Sequence, residues 1–227
     1  MGSTPRLLGA LTALIGAVSG LVIALNRAGI LGGSTGGGGT TQTSGGILSN
    51  NHPLFGSSTQ GGGSGHVGLD NDGSLTVTAT QPGHGVRVLA DQENPSPDVS
   101  LAARVSWVSG ERDWSFSLIC RFQNSRNFYL FGVIPGKRLY NIARYRDGHL
   151  KSLSGLQRSD AIREDENNAT ARCVGSEPTT LRLVINGETV RSITDANGID
   201  YGNIGLRVGS SAGVVTCRFS DLVVKPL

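Results

Sequence analysis

The residues best suited to chemistry lie between Arg121 and Arg158. Arg121, Arg126, Lys137, Arg138, Arg144, Arg146, Lys151 and Arg158 stand there against one acid, Asp147, with Tyr129, Phe131, Tyr140 and Tyr145 interleaved. Aromatic faces stack on flat apolar rings, and guanidinium groups pair with carboxylate or phosphate. Tyr129, Tyr140, Tyr145, Arg144 and Arg146 are therefore the candidate ligand-binding set, the tyrosines stacking and the arginines selecting acidic groups. The competing reading is a solvated sheet face above core aromatics, because strand alternation sends half of these rings inward.

Other constellations are weaker. Glu164 and Glu166 have the i, i+2 spacing of a paired-carboxylate site, as glycoside hydrolysis requires. They fall in the polar run EDENNAT, which has no strand character, so a solvated acidic loop is expected and no enzyme is read here. His52, His66, His84 and His149 are scattered among glycines and turns and form no triad. Asp70 and Asp72, or Asp195, Asn197 and Asp200, could offer oxygen ligands to calcium. The same residues are the ordinary vocabulary of turns, so no metal or other cofactor is expected. Asn168-Ala169-Thr170 matches a glycosylation acceptor. A net charge of +3 over 227 residues is too small to argue for nucleic acid. The three cysteines, Cys120, Cys173 and Cys217, lack C-x-x-C spacing and so do not read as a metal site.

The elements that must position these residues read as short strands. Trp114–Leu153 gives four extended runs joined by turns at 123–126, Pro135-Gly136 and Asp147-Gly148, a meander. LRLVI and ETVRSI flank Asn186-Gly187, the strongest hairpin signal in the chain. Further strands are read at 74–79, 86–89, 100–108, 171–174, 204–208 and 214–224, and residues 156–170 as a long polar loop. No helical period follows residue 30, so the domain from 68 to 227 is predicted to be all-β, a sandwich or barrel.

Ahead of it, Leu7–Leu25 runs nineteen residues without a charge, about 28 Å as a helix, the thickness of a hydrocarbon core. Residues 1–27 are read as an uncleaved transmembrane anchor in the lipid bilayer rather than a signal peptide, whose apolar part is shorter. Gly16 and Gly20 form a G-x-x-x-G on its face, which common bacterial-anchor composition explains better than helix pairing does. Residues 28–67 carry no Asp, Glu, Lys or Arg and are read as a flexible Gly/Ser/Thr linker, in which ILSNNHPLF (47–55) could dock on the domain.

The succession LICRF, NFYLFGV, LYNIARYRDG, ARCVGS, LRLVINGETV, IGLRV and CRFSDLVV resembles the concanavalin A-like jelly-roll sandwich. Within it, the order is most similar to laminin G-like and 3-keto-disaccharide hydrolase-like domains. The resemblance implies an antiparallel jelly roll outside the cytoplasm that binds glycan or another surface polymer without catalysis. A head that docks an envelope protein and no sugar is the alternative, and a glycosidase trails both. The segments carrying the likeness also imply a Cys120–Cys173 disulfide, leaving Cys217 as a buried thiol. In NFYLFGVI both alternating sets are apolar, Phe128, Leu130 and Ile134 against Tyr129, Phe131 and Val133. The second face is then either covered by a loop or forms a partly dry groove.

Overall fold

The computed structural model describes residues 61–62, 65–90 and 95–227. The anchor read at 7–25 with its Gly16–Gly20 pair, the segment 47–55 and His52 lie outside the described residues. Among the described residues no helix is long and apolar enough to cross a membrane.

Fifteen strands are described. They are β1 (Gly61–Gly62), β2 (Gly65–Leu69), β3 (Leu75–Ala79), β4 (Gly85–Leu89), β5 (Val99–Gly110), β6 (Trp114–Asn124), β7 (Asn127–Ile134) and β8 (Leu139–Arg146). There follow β9 (His149–Ser152), β10 (Gln157–Arg158), β11 (Glu166–Val174), β12 (Thr179–Ile185), β13 (Glu188–Asp195), β14 (Asn203–Ser210) and β15 (Val215–Pro226). One eight-stranded sheet has the order β1-β4-β14-β6-β7-β8-β10, with β9 also on β8. The other, seven-stranded, runs β13-β12-β11-β5-β15-β3-β2. Every pairing is antiparallel. The fold is an all-β sandwich of two sheets, consistent with a jelly roll.

The local signals do their work where expected. Asp147-Gly148 and Asn186-Gly187 both take positive φ at the two central positions, the condition for the tight turn whose twist matches paired strands. Pro135-Gly136 instead opens a 3-10 turn, Pro135–Lys137, closed by Arg138 in the left-handed region. Strand pairing begins ahead of residue 68: Val67, read as linker, pairs with Val77 inside β2. The polar loop is likewise shorter than read, because β11 starts at Glu166. Its alternation buries Asn167, Ala169, Ala171 and Cys173. Asn167 tolerates burial by donating to the Arg163 carbonyl (2.8 Å) and accepting from the Arg163 amide (2.9 Å).

The inward rows of both sheets make one core, from Phe116, Leu118 and Phe131 on one side to Leu101, Leu183 and Phe219 on the other. The expected disulfide is absent: Cys120, Cys173 and Cys217 are all free and buried. Cys120 and Cys173 face each other from opposite sheets, near enough for a thiol–thiol hydrogen bond. Burial, then the neighbouring Cys120, pushes the Cys173 thiol up, and burial does the same to Cys217. Both stay protonated and inert.

Candidate functional site

Strand parity decides which predicted residues can meet a ligand. In β7 the residues 129, 131 and 133 point inward, and in β8 the residues 140, 142 and 144 do. Tyr129 and Arg144 therefore meet between the sheets. Tyr129 donates to Asp195 Oδ2 (3.0 Å) and accepts from the Ile199 amide (3.1 Å). Arg144 Nη1 donates to both Asp195 oxygens, at 2.7 and 2.6 Å, and to the Asn197 carbonyl. Arg146 donates to the Gly198 carbonyl. Burial raises the Tyr129 pKa to about 12, so it acts as a neutral donor. This network fastens the loop 195–200 to β7 and β8, and Asp195 is committed to it rather than open to a metal.

Tyr140 is also turned inward and donates to the Val190 carbonyl (2.8 Å). Tyr145 alone of the three tyrosines faces outward from the sandwich. It stacks on Phe128 with ring centroids 4.5 Å apart, in a small cluster with Ile119 and Leu130. Phe128 and Leu130 are thus the outer set of NFYLFGVI, and its second face forms part of a groove.

That groove, about 520 Å³, lies on the outer face of the eight-stranded sheet. Register aligns Arg87 (β4), Arg207 (β14), Ser117 (β6), Gly132 (β7) and Asn141 (β8) in one row across the sheet, the last four lining the groove. Gly132 and Gly209 with Ser115 and Ser117 contribute almost no side chain, so the sheet surface sinks into a trough. Leu130, Ile134, Leu139 and Leu156 wall it. Asn141 Oδ1 accepts from Ser152 (2.8 Å) and Ser154 (3.2 Å). Its Nδ2 is left without a protein partner among the described residues. Apolar walls with a few convergent polar groups are the usual make-up of a ligand cleft.

At one side of the trough sits Arg207, 7% exposed. Its guanidinium lies over Gly85, where an added Cβ would come within 2.6 Å of it. Burial pushes its pKa down to about 10, Tyr145 opposing the fall and Arg87 adding to it, which still leaves a cation at neutral pH. Arg87 sits over the Phe122 and Phe128 rings, 5.1 and 5.6 Å from their centroids. The buried Tyr145 hydroxyl has no hydrogen-bond partner among the described residues. Burial lifts its pKa to about 12, with Arg207 and Arg87 partly offsetting the rise. Sequence reading passed over Arg207 and Gly132; the alternation of IGLRVGS, which places Arg207 between Gly205 and Gly209, was the available signal.

The acids lie elsewhere or are occupied. Glu164 and Glu166 are exposed on the seven-stranded side, where Glu166 accepts from Ser106 (2.9 Å). Asp113 borders the groove but is held by Lys137 at 2.9 Å and by Ser211. Asp70 and Asp72 receive Arg218, Ser74 and, at Asp70, Thr76, so a guanidinium stands where the calcium reading would place a cation. Among the described residues no group of three or more His, Cys, Asp or Glu is placed to hold a metal. His84 lines the groove, while His66 and His149 are exposed on β2 and β9. Asn168 occupies an exposed, outward position of β11.

No family model matches the chain, and no curated protein matches it. Solved structures do. A Bacillus subtilis carbohydrate-binding module of the CBM66 type is similar with a TM-score of 0.58 at 12% identity, covering 76% of this chain and 97% of its own. A Bacillus subtilis protein of unknown function with a galectin-like fold gives 0.54 at 13%, covering 74% and 89%. A β-1,3-1,4-glucanase (lichenase) from a mouse hindgut metagenome gives 0.51 at 13%, covering 71% and 83%. At such identities the likeness establishes the shared β-sandwich and nothing of the ligand.

Proposed function

We propose that the outer face of the eight-stranded sheet binds a saccharide chain without catalysis. The anchor read at 7–25 would hold this head outside the cytoplasm. The observation that carries the reading is the trough itself, open along a sheet face, floored by Gly132 and Ser117 and walled by apolar side chains. A sugar ring presents flat C–H surfaces and a rim of hydroxyls, which suits apolar walls with Asn141, Ser115 and Ser117 beside them. Glycoside hydrolysis needs two carboxylates flanking the bond. Among the described residues Asp113 is the one acid bordering the groove, already paired with Lys137, which supports binding rather than turnover.

Gly132 offers a clean test. A Cβ there meets Ser117 Oγ at 3.6 Å and the Asn141 carbonyl at 3.8 Å, ordinary contact distances. Gly132→Phe should therefore fill the trough with the fold intact. On a glycan array, the wild-type chain should retain a discrete set of saccharides and Gly132→Phe should lose them, with a melting temperature within about 3 °C. Undiminished binding by that variant would move the site elsewhere. The topology has its own check: protease added to intact cells should remove the head, and full protection would overturn it.

A further inference from the structure

Resting on that reading of the groove, we infer that its ligand carries a carboxylate, and that Arg207, with Arg87 beside it on the same face, receives it. The buried arginines differ in what meets their charge. Arg121 makes five hydrogen bonds, to Pro97, Asp98, Thr179 and Ile199. Arg144 is met by Asp195 and a backbone carbonyl. Arg207 is nearly as buried, yet it has no hydrogen bond and no carboxylate among the described residues, and its neighbour across the strand pair is a second cation, Arg87. A buried charge without a partner is costly, and interiors rarely retain one. Here the missing counter-charge has a place to come from, because Arg207 lines the groove.

The local build fits that role. Gly85 and Gly209 leave the guanidinium unobstructed: an added Cβ would fall 2.6 Å from it at the first and 3.4 Å at the second. A planar guanidinium held in place presents two parallel donors, the match for a planar carboxylate. Arg87, stationed over Phe122 and Phe128, adds a second positive charge on the same face. Farther along the row from Arg207, Ser117 next to it and Asn141 at the end remain for the hydroxyls of the same saccharide.

The test uses the full-length chain with polygalacturonate, its methyl ester, and dextran sulfate as probes, read by isothermal titration. Wild type should prefer polygalacturonate over the ester by roughly 10- to 100-fold, the range of a charge-assisted hydrogen-bonded pair. Arg207→Gln should abolish that preference, and Arg87→Gln, at a more exposed position, should reduce it. Gly132→Phe should remove binding of both uronate polymers. A wild type that binds polygalacturonate and its ester equally, with both lost in Gly132→Phe, would overturn the carboxylate assignment while leaving the groove in place. Saccharide binding untouched by Gly132→Phe would sink the groove reading itself. Dextran sulfate bound as tightly as polygalacturonate, and equally by Arg207→Gln, would reduce the effect to diffuse charge attraction and also overturn the assignment. Thermal melts of each variant confirm folding, and loss of a cation without a partner is expected to leave Arg207→Gln folded.

Discussion

Asp195→Ala should lower the stability of the head by about 3–5 kcal/mol, the cost of removing one partner of a buried ion pair. The substitution leaves the Arg144 guanidinium, 7% exposed, without its carboxylate. It also strips the Tyr129 hydroxyl of its acceptor. In a domain of this size the loss reads as a fall of about 10 °C or more in melting temperature. The double variant Asp195→Ala/Arg144→Met should recover a good part of it, because an apolar side chain of similar length removes the stranded charge. A single variant melting within about 1 °C of wild type would show that the network holds nothing. The same experiment separates scaffold from site, since Arg144 and Tyr129 act here by fixing the 195–200 loop, not by touching a ligand.

Arg121→Ala is expected to be at least as damaging, again about 3–5 kcal/mol. Arg121 is fully buried and holds three segments to β6 through five hydrogen bonds. Two go to the Pro97 carbonyl (2.9 and 2.6 Å), one to the Ile199 carbonyl (2.6 Å), one to Thr179 (3.0 Å) and one to Asp98 (3.4 Å). Truncation opens a cavity and orphans buried carbonyls. The backbone contributes in the opposite sense. Arg121 has φ of 54°, a conformation that costs a residue with a Cβ ~1–2 kcal/mol and glycine little. Arg121→Gly should therefore be less destabilised than Arg121→Ala by about 1 kcal/mol in chemical denaturation. An Arg121→Gly variant less stable than Arg121→Ala would contradict that account of the strain.

These two residues also mark the limit of sequence reading. The meander, the Asn186-Gly187 hairpin and the all-β class were legible because each rests on neighbours in the chain: alternation within a strand, and paired residues that accept positive φ in a turn. The facing of NFYLFGVI was not legible, because both of its alternating sets are apolar and parity alone cannot say which side is the core. Arg121 reads as one more surface cation. A register shift after Cys120 and a left-handed backbone turn it inward instead.

The groove depended still more on tertiary structure. The row across the sheet joins positions 87, 207, 117, 132 and 141, brought together because β14 inserts between β4 and β6. By itself, then, the sequence determined the meander, the tight turns and the all-β class, since those depend on local dihedral preference and period-two burial. The tertiary structure decided the strand order, left the cysteines unbridged, and separated the arginines that bind the scaffold from Arg207, which has no partner among the described residues. Those outcomes turn on which distant strands become neighbours, and no local pattern encodes that.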